Sequence, residues 1–217
     1  MLDMNGLFGS HNGFGGFRPH IVGIGGTTRI GSSSETALRC TLSAIEAMGA
    51  TTEMIVGPLL DLPMYDPSDK HRSPSARRLI QSLRRANGII IATPSYHGGM
   101  SGVIKNALDY VEDMRDDKRA YFDGRAVGVI VSAFGAQALG TTLVEVRSVV
   151  HALRGWPTPF AAALNSQNRP FEDGRPANDE VAAQLETVAR QIYTFAMVQQ
   201  LQGANSADDQ PRAAKSA

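Results

Sequence analysis

The chain has 217 residues, and its 21 Lys and Arg balance its 21 Asp and Glu. A neutral chain of this kind has no bulk field to draw in nucleic acid or an anionic membrane surface. With 42% hydrophobic and 19% charged residues it has the make-up of one soluble globular domain, able to bury about 70% of its unfolded surface.

No apolar run approaches the length needed to cross a bilayer, and Cys40, the single cysteine, has no partner for an internal disulfide. Both features suit a cytoplasmic setting. Residues 1–19 are glycine-rich, lack the compact apolar segment of a secretion signal, and read as a flexible arm whose Phe8, Phe14 and Phe17 can dock on a neighbouring subunit. The main domain is expected over 20–200, followed by a polar, disordered tail over 201–217.

The first strand is short, β-branched at Ile21, Val22 and Ile24, and stops at Gly25-Gly26. Ser32 and Glu35 have capping-box spacing, and Leu38, Leu42, Ile45 and Met48 line one face of the helix that follows. Between strand and helix lies a loop with hydroxyls at Thr27, Thr28, Ser32, Ser33 and Ser34 and one full charge at Arg29. A helix N-terminus carries unpaired N–H groups and roughly +0.5 charge, so a loop placed there suits a phosphate. Two common phosphate ligands are excluded. Gly31 is followed by Ser32-Ser33, with no lysine for a nucleoside triphosphate. Thr28 stands where a dinucleotide fingerprint needs its third glycine, and the second strand ends Val56-Gly57 without an acid for a ribose. A terminal phosphomonoester such as that of FMN remains. An ordinary capped helix after a glycine turn is the competing reading of this stretch alone.

Thr51–Val56 forms the second strand. The segment 57–73 carries Pro58, Pro63 and Pro67 without periodicity, as loops bordering a binding site often do. Ser73-Pro74 starts a helix, and Gly88–Thr93 (GIIIAT) is the most apolar strand, placed at the centre of the sheet. The loop 94–101 follows, with a helix from Ser101 through Val111 and a charged, solvated connection over 112–124. Ala126–Ser132 is the fourth strand and 133–140 a loop of small residues. A second capping box at Thr142 and Glu145 opens the next helix. Thr158–Leu164 is the fifth strand, and the last helix starts near Asn178.

Five strands alternating with five helices predict an α/β fold, a doubly wound parallel sheet in the order 2-1-3-4-5 with helices on both faces. Ligands then bind past the carboxyl ends of the strands, where loops 27–34, 94–101 and 132–140 meet. Gly98 and Gly99 let backbone approach a flat ring, Tyr96 and His97 offer planar surface, and Phe134 repeats the pairing in the third loop. Pro-Ser and Gly-Gly also mark turns in any protein, and an aromatic side chain also fills core. His11, His20, His71, His97 and His151 are widely separated and lack Cys or carboxylate neighbours at ligand spacing, so no metal site is expected.

These residues resemble the NADPH-dependent FMN reductase family of flavodoxin-like proteins. The family's phosphate loop, Gly-Ser-x-Arg-x-x-Ser-x-Ser/Thr/Asn, is matched by Gly26-Thr27-Thr28-Arg29-Ile30-Gly31-Ser32-Ser33-Ser34, with Thr27 for the serine. Its third-strand motif is matched by Pro94-Ser95-Tyr96 and by Gly102-Val103-Ile104-Lys105-Asn106-Ala107-Leu108-Asp109, and the similarity runs from about Ile21 to Val198. The resemblance implies a flavodoxin-like three-layer sheet binding FMN, with the phosphate on Thr27, Arg29, Ser32 and Ser34 beside Ser33. It places the isoalloxazine ring against Pro94, Ser95, Tyr96, His97 and Gly98, near Ser132, Phe134 and Gly135. It also implies NADPH as electron donor, a small-molecule acceptor such as free flavin or a quinone, and a homodimer or homotetramer. Gly99 stands where many relatives carry serine, and Ser95 where several carry glutamate. No side chain is singled out as a catalytic acid or base, because the flavin carries the chemistry. Lys105 and Asp109 have the i, i+4 spacing of a structural pair, and Arg115, Lys118 and Arg119, interrupted by Asp116 and Asp117, read as solvated charge rather than an NADPH phosphate site. A flavodoxin-type electron carrier and a flavin-free binding module are the rival readings of the same fold.

Overall fold

A computed structural model describes residues 16–208, with side chains described through residue 202. Phe8, Phe14 and most of the glycine-rich arm therefore lie outside the described residues. Where the arm meets the domain, Arg18 Nε donates to Gly49 O at 2.9 Å and Thr51 N to Pro19 O at 2.9 Å.

In chain order the elements are β1 (His20–Gly25), α1 (Ser33–Ala47), β2 (Thr51–Ile55), α2 (Pro74–Arg85), β3 (Gly88–Tyr96), β4 (Gly99–Met100) and α3 (Gly102–Asp109). There follow β5 (Ala126–Ala133), α4 (Ala136–Ala152), β6 (Trp156–Pro157), β7 (Ala162–Asn165), β8 (Phe171–Glu172), β9 (Arg175–Pro176) and α5 (Asp179–Asp208). The main sheet runs β2-β1-β3-β5, with β6 and β7 sharing the outer flank of β5, and these pairings are all parallel. This is the expected doubly wound α/β order 2-1-3-4-5, with β5 as the fourth position and β6 and β7 together as the fifth.

Alternation along the buried strands divides the core. Val22, Ile24, Ile89, Ile91, Val127 and Val129 face α2, α3 and α4, whereas Ile21, Ile90 and Ile130 face α1 and α5. Right-handed crossovers require this arrangement of helices on both faces. Among the described residues no helix is long and apolar enough to cross a membrane.

Several boundaries differ from expectation. β3 does not stop at Thr93 but continues to Tyr96 and turns back antiparallel into β4, so the loop 94–101 is largely a hairpin. His97 (φ 56°) and Gly98 (φ 85°) occupy its two turn positions, the left-handed pair that tight hairpins demand. The fifth strand is broken: Thr158 N still donates to Val127 O (3.0 Å), but the chain turns away at Pro159, and Arg147 Nη2 binds the carbonyls of Thr158 (3.1 Å) and Pro159 (2.7 Å). Helix α4 begins at Ala136, six residues before Thr142, so Thr142 and Glu145 are not a capping box but lie within the helix. Helix α5 continues through 201–208, part of the expected tail, since no proline occurs between Pro176 and Pro211; residues 209–217 lie outside the described residues.

The connection 112–124 is not merely solvated. Met114 and Phe122 are fully buried, and Asp113 and Asp117 pair with Arg72 and Arg84, each at 2.7 Å. At its end Arg125, 1% exposed, donates to Ala86 O (2.9 Å), Tyr121 O (2.7 Å) and Arg84 O (3.0 Å), closing the carboxyl end of α2. Burial pushes its pKa down to about 10. Replacing Arg125 by Met fits the volume but strands these carbonyls, so Arg125→Met is expected to cost about 3 kcal/mol in urea unfolding; a loss below about 0.5 kcal/mol contradicts this account.

Candidate active site at the carboxyl edge

Parallel register brings three loops to one edge of the sheet. Gly25 is level with Ala92, and Pro94 with Ser132, so β1, β3 and β5 release their chains side by side. Gly26 N donates to Ala92 O at 3.1 Å, which ties the first loop to β3. Gly26 has φ 84°, and a Cβ on it would lie 3.0 Å from Ser32 Oγ, so glycine is required where the loop turns back onto its own helix.

Inside this loop most hydroxyls are already engaged. Arg29 N donates to Thr27 Oγ1 at 3.0 Å, and Thr27 Oγ1 donates to Arg29 O at 3.2 Å, closing a tight turn. Ser32 caps α1 by accepting from Glu35 N at 3.3 Å, and its hydroxyl lies 3.4 Å from that of Ser34. Glu35 does not complete the reciprocal capping box with Ser32 N. Its buried carboxylate accepts from Gly31 N (2.9 Å) and from Arg39 Nη2 (2.7 Å), bracing the loop one residue earlier. The N–H groups of Ser33 and Ser34 have no carbonyl four residues back within the helix. The Arg29 guanidinium is exposed and has no hydrogen-bond or ion-pair partner among the described residues. The loop therefore presents a turn of N–H groups and one uncommitted cation at the positive end of α1, an arrangement suited to an anion.

The second and third loops present surface of another kind. Thr93 Oγ1 donates to Pro94 O (2.8 Å) and accepts from Ser101 N (3.1 Å), and Ser95 Oγ accepts from Thr142 Oγ1 at 2.7 Å. Beyond these anchors Tyr96 is 55% exposed and Phe134 77% exposed, while His97 is exposed and Gly98 and Gly135 are half-buried. Ser132, at the end of β5, is buried, and its Oγ has no hydrogen-bond partner. A buried hydroxyl left unpaired at the end of β5, level with Pro94, is a vacant donor or acceptor for a polar ring edge. The residues expected at the site thus meet along one edge.

The long segment 57–73 borders the same edge. A Cβ on Gly57 would lie 3.3 Å from Ile30 Cγ1, so the segment starts under the first loop. Asn106, in the motif of α3, accepts from Tyr65 N (2.8 Å) and donates to Pro63 O (2.9 Å), and Tyr110 OH donates to the same carbonyl at 2.9 Å. Arg72 sits over the rings of Tyr65 and Tyr110, 5.1 and 5.5 Å from their centroids, and its bidentate pair with Asp113 raises its pKa. Lys105 and Asp109 form an exposed pair at 2.7 Å. Sequence reasoning placed Glu35 at the wrong amide and missed Asn106, Thr142 and Glu145 as anchors. Three cavities, of about 340, 210 and 360 Å³, lie elsewhere: at Cys40 and Gly174, at Asn87 and Arg119, and at Arg72 and Arg84. The chemistry of its donors identifies the candidate site.

The model of the NADPH-dependent FMN reductase family matches residues 19–169. The chain belongs to this family. Family membership makes it an oxidoreductase with FMN and NAD(P)H as cofactors, and the donor set of the edge fits an FMN: a phosphate for the first loop, a polar ring edge for Ser132 Oγ. Among curated relatives, the NAD(P)H-dependent FMN reductase of Pseudomonas aeruginosa is 27% identical over 191 residues, covering 84% of this chain and 97% of the relative. An FMN-dependent NADPH-azoreductase of Staphylococcus aureus is 29% identical over 109 residues, 50% of this chain and 54% of that one. The flavoenzyme NAD(P)H:(acceptor) oxidoreductase FerB of Paracoccus denitrificans shares the fold, with a TM-score of 0.70 at 16% identity over 83% of this chain and 98% of its own.

The capping account of the first loop separates two neighbouring serines. In FMN-free protein Ser32→Ala is expected to cost about 1 kcal/mol in urea unfolding, while Ser33→Ala, exposed in the first turn, stays within about 0.5 kcal/mol; equal losses refute it.

Proposed function

We propose that the chain is an NAD(P)H-dependent flavoprotein reductase, in which NADPH gives a hydride to FMN and the electrons pass on to a small acceptor such as free flavin or a quinone. FMN lies along the carboxyl edge, its phosphate in the turn of Thr27, Arg29, Ser32, Ser33 and Ser34, its ring across Pro94, Ser95, Tyr96, His97 and Gly98 toward Ser132, Phe134 and Gly135. The observation that carries this reading is that one edge of the sheet holds both an unpartnered Arg29, after β1 at the positive end of α1, and the unpaired buried Ser132 Oγ at the end of β5, with β3 and its hairpin between them.

FMN, when bound, supplies the two-electron chemistry at its ring. The protein's part is to hold and to exclude. Arg29 and the first-turn N–H groups neutralise the phosphate, the hairpin backbone offers N–H groups to the ring, and Tyr96 and Phe134 shed water beside it. The nearby carboxylates Glu35 and Glu145 are both occupied in holding backbone amides, so neither is free as a general acid or base. A second copy that covers Tyr96 and Phe134, in a cytoplasmic homodimer or homotetramer, belongs to the same proposal. Likeness to an azoreductase over half of the chain adds azo compounds to the acceptors worth assaying.

Purified protein reconstituted with FMN should show a flavin absorbance band that bleaches on anaerobic NADPH addition. Arg29→Ala should raise the FMN dissociation constant roughly 10- to 100-fold, the loss of one charge-assisted contact, and leave riboflavin affinity unchanged. Bound FMN that leaves NADPH unconsumed with free flavin and quinone present points instead to an electron carrier, and protein that takes up no FMN to a flavin-free module.

A further inference from the structure

Helix α4 holds the hairpin as well as following the third loop. Ala138, Thr141, Thr142 and Glu145 are spaced so that they share one face of this helix, and that face meets β3 and β4. Ser95 Oγ donates to Ala138 O at 3.3 Å and accepts from Thr142 Oγ1 at 2.7 Å. One turn further along, Met100 N donates to Glu145 Oε2 at 2.6 Å, a charge-assisted bond.

The strand being held is only two residues long and pairs with β3 alone. A ladder that short does not fix a turn by itself, and the outward amide of Met100 has no neighbouring strand to bind. The Glu145 carboxylate takes that place. Room for it comes from Gly99, because a Cβ there would lie 3.1 Å from Glu145 Oε2 and 3.6 Å from its carboxyl carbon. Gly99 does not have a left-handed φ, so the close carboxylate, not the backbone conformation, accounts for the absence of a side chain.

We infer that Glu145 is a positioning residue for the ring-binding turn 96–99, and that Gly99 and Glu145 act as a matched pair: the carboxylate pins Met100 N, and the missing side chain admits the carboxylate. The structural half of this inference stands without FMN, while its consequence for flavin affinity rests on the function proposed above. Glu145 lies outside all three loops of the site and touches the ligand only through the backbone it holds.

The test has two parts. In FMN-free protein, amide exchange over 95–101 should quicken about tenfold in Glu145→Ala, the loss of one hydrogen bond, and stay closer to the native rate in Glu145→Gln, which retains an acceptor. In binding, Glu145→Ala should weaken FMN and riboflavin by a similar factor of about ten, because the ring turn and not the phosphate turn has loosened. Gly99→Ser alone should also weaken both, and the double variant should be no weaker than Glu145→Ala, because the space is then vacant. Native exchange in Glu145→Ala, failure of Glu145→Gln to rescue, or effects that multiply in the double variant overturn the inference. Should Glu145→Ala not fold, Gly99→Ser decides: native exchange over 95–101 in that variant counts against the pair. Native protein that binds neither flavin removes the proposed function, and the exchange measurement still judges the clamp.

Discussion

Everything at the carboxyl edge depends on how closely β3 approaches β1 where β1 ends, at Gly25 and Ala92. A Cβ on Gly25 would lie 2.8 Å from Ala92 Cβ and 2.8 Å from Leu38 Cδ2, so two strands and a helix meet at a point with no space for a side chain. The bond from Gly26 N to Ala92 O is possible because that point is bare. Helix α1 can then lie low on the sheet, with its first turn over the gap where the strand order reverses. In a doubly wound sheet this reversal opens the crevice, and here the positive end of a helix is placed at it.

The same constraint divides the work of the edge between two helices. Helix α1 supports the anion end: Ser32, Glu35 and Arg39 form a chain from cap to loop, leaving Arg29 uncommitted. Helix α4 supports the ring end through Thr142 and Glu145, which bind the hairpin rather than any ligand. The helices lie on opposite faces of the sheet, in different core clusters. The two ends of the proposed site are therefore supported from separate cores.

How much of this was legible in the sequence follows from the range of each signal. β1, the phosphate turn and α1 are local: apolar run, glycine pair, hydroxyl cap and three-four periodicity lie within thirty residues and agree with one another. The hairpin was missed because Pro94 and the glycines read as loop, while the pairing of Ser95 with Met100 depends on His97 and Gly98 both taking positive φ. Thr142 and Glu145 imitate a capping box because cap residues and residues on one helix face share the same spacing. The small residues Ala136 to Gly140 carry no periodicity that would reveal the true start of α4. The break in the fifth strand had a readable signal in Pro157 and Pro159, overlooked in favour of the low charge of the stretch. Burial of Met114 and Phe122 was hidden by the charges around them, two of which, Asp113 and Asp117, answer Arg72 just before α2 and Arg84 on it, 41 and 33 residues away in sequence.

The function proposed for this edge asks for no side-chain acid or base, and the carboxylates nearest it are engaged elsewhere. A free carboxylate beside the phosphate turn would repel the anion, and one beside the ring would disfavour a reduced, more negative flavin. Both are present, yet each is tied to a backbone amide: Glu35 to Gly31, with Arg39 alongside, and Glu145 to Met100. The negative charges that brace the loops are answered locally, so the cationic Arg29 and the helix end dominate the field at the phosphate turn. Bracing and recognition use charges of opposite sign, and they are compatible because the bracing carboxylates are engaged by protein donors.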